Sequence, residues 1–75
     1  MPRLTPVNWT DLEKVVLRMG LRFARQKGSH RSYTKPGLIR PVVIPVRTQV
    51  PVSIIKGILE TLGISREDYF QLLNQ

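Results

Sequence analysis

Leu21-Arg22-Phe23-Ala24-Arg25-Gln26-Lys27-Gly28-Ser29-His30-Arg31-Ser32-Tyr33-Thr34 is the stretch on which the fold turns. Leu21 and Phe23 alternate with Arg22 and Ala24, the period-two pattern of a half-buried strand. Lys27-Gly28 supplies a tight turn, because glycine enters the positive-φ conformations that two-residue hairpin connections need. The alternation resumes from His30 to Thr34, with His30, Ser32 and Thr34 on one face and Arg31 and Tyr33 on the other. Strands joined by so short a connection run antiparallel.

Outward from this hairpin the pattern changes period. Upstream, Leu12, Val15, Val16 and Met19 follow the i, i+3, i+4, i+7 spacing of one buried helical stripe. Asn8 caps that helix, Val7 is placed to pack on Leu12, and Gly20 suits the left-handed residue past its end. Residues 1–7 read as irregular, since Pro2 and Pro6 interrupt regular structure. Downstream, Lys35-Pro36-Gly37 is a turn and Val42-Val43-Ile44 a third strand. Pro41 and Pro45 flank that strand, which favours an edge position or strand ends. Pro51 suits the first turn of a second helix whose stripe is Ile55, Ile58, Leu59 and Leu62, closed by Gly63. Ser65 caps a short third helix, with Glu67 and Asp68 in its first turn and Tyr69, Leu72 and Leu73 available for docking.

The expected class is α+β, in the order α-β-β-β-α plus a short C-terminal helix. Three antiparallel strands carry two helices on one face and leave the other face open. That order matches the double-stranded-RNA-binding-domain fold, which does not by itself establish function. The chain has 75 residues and reads as one domain over 1–75, because a split leaves neither half a core of its own. Hydrophobic residues make up 41%, enough for a small core. With no Cys and a single His, neither a disulfide framework nor a thiolate metal site is expected, and no metal or cofactor is assigned. No apolar run approaches a membrane span, and no h-region follows the first residues, so a cytoplasmic protein is expected.

Charge is the stronger signal. Twelve Lys and Arg against five Asp and Glu give a net charge of +7. Between Lys14 and Leu59 there is no acid, yet ten of the basic residues lie there. This footprint suits a phosphate backbone, whose binding weakens steeply with salt through counterion release. An anionic protein partner would use the same surface.

His30 lies among Arg25, Lys27, Arg31 and Lys35. RNA carries its own nucleophile, the 2′-hydroxyl. A base that removes its proton starts attack on the adjacent phosphorus, and cations stabilise the charge building on the phosphoryl oxygens. Histidine suits that role because its unperturbed pKa of about 6.5 is near neutrality. His30 equally suits a phosphate contact or a turn residue, Gly28 a plain hairpin glycine, and Ser29 a turn hydrogen-bonder. Tyr33 and Trp9 read as packing residues.

The run Arg25-Gln26-Lys27-Gly28-Ser29-His30 resembles the signature of HicA toxins, small mRNA interferases of toxin–antitoxin pairs. Met19-Gly20-Leu21, Val43-Ile44-Pro45-Val46 and the region from Leu59 through Tyr69-Phe70 are also similar, so the resemblance runs from about Val7 to Leu73. It implies a double-stranded-RNA-binding-like fold, endonucleolytic cleavage of mRNA and neutralisation by a HicB-type antitoxin. It further implies that His30 is catalytic and that Gly28 and Ser29 shape its loop. With the basic surface, the expected RNA-binding residues are Arg25, Lys27, Gly28, Ser29, Arg31 and Lys35. Two departures stand out: Arg31 and Arg47 occupy places where many relatives carry further histidines. With one His, a two-histidine acid–base mechanism within one chain is excluded. The proton for the leaving 5′-oxygen is then left to Lys27, Tyr33, water, His30 itself or a second protomer. The alternative expectation is a non-catalytic RNA-binding module using the same basic surface.

Overall fold

Asn8 opens the first helix, α1 (Trp9–Arg18), in extended conformation, and its side-chain oxygen accepts a hydrogen bond from the Thr10 backbone N–H at 3.3 Å. Leu12, Val15 and Val16 form its buried stripe. The chain then turns through Gly20 at φ 91° and buries Leu21 before the sheet begins. The strands are β1 (Arg22–Lys27), β2 (His30–Thr34) and β3 (Val42–Pro45), followed by α2 (Val52–Leu62) and α3 (Arg66–Leu73). This computed structural model describes residues 3–75. Met1 and Pro2, part of the stretch expected to be irregular, lie outside the described residues. Residues 3–8 form no helix or strand apart from an antiparallel bridge between Val7 and Val50, closed by Val50 N–H donating to the Val7 carbonyl at 2.7 Å.

The α-β-β-β-α order, the antiparallel meander β1-β2-β3 and the added third helix are as the sequence predicts, and the α+β class is consistent with a double-stranded-RNA-binding-like fold. Pro45 ends β3, which is an edge strand, so its missing donor costs the ladder nothing. Pro51 stands one residue earlier than expected, at the N-cap of α2 rather than in its first turn. Gly63 ends α2 in the left-handed conformation at φ 70°. Ser65 and Asp68 form a reciprocal capping box on α3.

One core joins these elements. It contains Leu12, Val15 and Val16 of α1, Tyr33 of β2, Val42 and Ile44 of β3, Val50, Ile55, Ile58 and Leu59 of α2, and Tyr69 of α3. Its rows follow from strand register. Phe23, Tyr33 and Val42 stand side by side on the core face, and Gln26, Arg31 and Ile44 form the next row. No helix among the described residues is long and apolar enough to cross a membrane.

Tyr69 carries the one buried side-chain polar atom among the described residues that has no hydrogen-bond partner. A buried hydroxyl without a partner retains its desolvation cost. Tyr69→Phe is therefore expected to raise stability by about 1 kcal/mol, read as a higher denaturation midpoint at unchanged slope.

Candidate nucleic-acid interface

A β-bulge decides which side chains meet on the open face of the sheet. Phe23 pairs with Tyr33, but Arg25 pairs with Ser32, so Ala24 has no partner across on β2. Plain alternation from Phe23 would send Arg25 and Lys27 toward the helices. The extra residue reverses this. The open face therefore carries Arg22 opposite Thr34, Arg25 opposite Ser32, and Lys27 opposite His30. Val43 and Pro45 of β3 complete the last two rows. The alternation read over Leu21–Ala24 therefore does not carry on through Arg25–Lys27, because the inserted residue changes the parity of the strand.

The turn between β1 and β2 is two residues long, Gly28-Ser29. Gly28 has φ 60°, and Ser29, like every other described non-glycine residue, does not have positive φ, which fits a type II′ connection. A Cβ built on Gly28 meets nothing within 4 Å, so its backbone is open to an approaching ligand and only its φ demands glycine. Both turn carbonyls are held. The Gln26 side-chain amide donates to the Gly28 carbonyl at 3.0 Å, and the Val46 N–H donates to the Ser29 carbonyl at 2.7 Å.

Beside this anchored turn, the side chains of Arg25, Lys27 and His30 are exposed. The His30 ring is thus presented to solvent, directly across the strand pair from Lys27, rather than packed among aliphatic side chains. No acidic residue occurs on any of the three strands. The open face carries three cations, Arg22, Arg25 and Lys27, and no acid, and an imidazole sits at its turn end.

Arg31 and Lys35 lie elsewhere. Arg31 is on the helix-facing side of β2, where its Nη2 donates to Glu13 Oε2 of α1 at 3.1 Å, its Nε to the Tyr33 hydroxyl at 2.9 Å and its Nη1 to Gln26 Oε1 at 2.8 Å. Its guanidinium lies 4.2 Å from the Phe23 ring centroid and 5.3 Å from that of Trp9. The hydrogen bond to Tyr33, aided by the nearby Glu13 carboxylate, holds the guanidinium in its charged form. The residue following His30 thus spends its charge inside the fold, not on the open face. Lys35 donates to the Met19 carbonyl at 3.3 Å, near the C-terminal end of α1, and is not brought to the His30 hairpin.

Tyr33 is buried, and its hydroxyl donates to Glu13. Burial, reinforced by the bond to that carboxylate, pushes the phenol above its ordinary pKa. It faces the helices while His30 faces outward, so it leaves the group of side chains placed to supply a proton near His30. The residue that sequence reasoning omitted is Arg22. It shares the face of Arg25 and Lys27, and a period-two reading already turned it away from Leu21 and Phe23.

No curated protein matches the chain. A family model described as the HicA toxin of bacterial toxin-antitoxin systems matches residues 9–64, a span that takes in α1, the whole sheet and α2 but ends before α3. Covering most of the chain, and with it the His30 hairpin, this match makes the protein a member of the HicA toxin family of bacterial toxin–antitoxin systems.

Proposed function

We propose that this toxin is a metal-independent endoribonuclease that cleaves mRNA in the cytoplasm, with His30 as general base. The observation that carries the reading is the exposed His30 ring on an acid-free face, with Lys27 as its cross-strand neighbour. His30 takes the proton of a ribose 2′-hydroxyl, and the freed oxygen attacks the adjacent phosphorus. The bond from phosphorus to the 5′-oxygen breaks as the new bond forms, and the leaving 5′-oxygen takes a proton from Lys27, from water or back from His30, leaving a 2′,3′-cyclic phosphate on one product and a 5′-hydroxyl on the other. Lys27 stabilises the charge accumulating on the phosphoryl oxygens. Arg25 holds a neighbouring phosphate, and the open backbone at Gly28-Ser29 lets the RNA chain approach the turn. Substrate is single-stranded or unpaired, since the 2′-oxygen has to swing into line with the leaving oxygen.

The toxin's counterpart is a HicB-type antitoxin that masks the His30 hairpin and part of the basic face. Hydrogen exchange slowed across residues 25–35 on complex formation is the expected signature. The decisive experiment incubates purified protein with end-labelled RNA in EDTA. Cleavage should persist and the new 3′ ends should be cyclic phosphates. Intact RNA that is nonetheless bound would instead identify an RNA-binding module, and 3′-hydroxyl ends would exclude attack by the 2′-oxygen.

A further inference from the structure

Four side chains on the helix-facing side of the hairpin form one continuous chain of hydrogen bonds. Glu13 of α1 accepts from both the Tyr33 hydroxyl and Arg31. Arg31 donates in turn to Tyr33 and to the Gln26 side-chain oxygen. The other end of the Gln26 amide donates to the Gly28 carbonyl. The chain begins on a helix fixed by Leu12, Val15 and Val16 in the core and ends on the turn that precedes His30.

This hairpin needs such a tie. Every residue of β1 is exposed, so packing alone does little to fix the strand's turn end. Gly28 has more backbone freedom than any other residue type would have there. Its carbonyl is held by Gln26, and Gln26 is oriented by a guanidinium with two other N–H groups already committed to Glu13 and Tyr33. The planar fork of Arg31 suits this duty, since one rigid group meets Glu13, Tyr33 and Gln26 at fixed angles.

We propose that Gln26 and Arg31 are positioning residues for cleavage: the chain from Glu13 to the Gly28 carbonyl fixes the turn so that the His30 ring meets the ribose at productive distance. The proposal rests on the reading of His30 as the base. Misplacement of a reacting group by about 1 Å costs as much as 10²-fold in rate, so a loosened turn should be felt in kcat.

The test compares Gln26→Met, which keeps length but loses both hydrogen bonds, with Arg31→Lys, which keeps charge but loses the fork. Both are measured beside His30→Ala with a short labelled RNA. Gln26→Met and Arg31→Lys should each lower kcat about tenfold with KM within twofold of the parent, and hydrogen exchange at residues 28–30 should quicken. A raised KM with parental kcat in Arg31→Lys would make Arg31 a phosphate ligand and overturn the proposal. So would parental kcat in Gln26→Met, whose exposed position leaves folding intact should Arg31→Lys fail to fold. Cleavage surviving in His30→Ala would instead remove the catalytic reading on which the proposal stands, and that outcome is distinct from parental rates in the two positioning variants.

Discussion

Replacing His30 by Ala is expected to lower the rate of RNA cleavage by about 10²–10⁴-fold, the range that general acid–base groups supply. The loss should fall on the chemical step. His30 is exposed, so its removal opens no cavity and strands no buried partner, and stability should stay within about 0.5 kcal/mol of the parent. RNA affinity should change little, because the cations of the open face remain. Single-turnover cleavage, thermal denaturation and RNA binding measured on the same preparation separate these effects. Equal cleavage by the variant, with contaminating nuclease controlled for, would remove His30 from the chemistry. The same pair of proteins expressed in cells should differ in growth arrest and in mRNA fragmentation. No second histidine exists to take over the role, so no residual histidine activity blurs the comparison.

The element order was legible because its signals are local. Leu12, Val15 and Val16 mark a helical face by spacing alone, Gly28 marks the turn, and Ser65 with Asp68 marks a cap within four residues. The site was legible as a segment but not as a surface. An unpaired residue such as Ala24 leaves no trace in composition, yet it decides which of β1's side chains share a face with His30. Arg31 read as one more cation in a basic run because its acceptor, Glu13, lies 18 residues away. That pairing follows from α1 packing on the helix-facing side of the sheet, and no local pattern encodes it. Lys35 is a similar case: its partner is the Met19 carbonyl, 16 residues upstream, which only the folded chain brings near.

The bulge makes a prediction about binding as large as the one about chemistry. Arg22, Arg25 and Lys27 form a single row of cations along an edge strand, ending beside His30. Strand residues advance about 3.3 Å each, so the row spans roughly 15 Å, the reach of a few nucleotides of extended single strand. Each phosphate neutralised on a single strand contributes about −0.7 to the slope of log K against log salt. Replacing Arg22, Arg25 and Lys27 together by Ala should therefore make that slope shallower by about 2 and weaken binding at low salt on the order of 10²-fold. Measured in the His30→Ala background, the effect is free of cleavage. Arg31→Ala supplies the contrast, because its guanidinium already serves Glu13, Tyr33 and Gln26: the slope should stay at the parental value, whatever happens to stability. Should Arg31→Ala flatten the slope while the triple variant leaves it unchanged, RNA would be bound on the helical side of the sheet. The open face would then be free for the antitoxin alone.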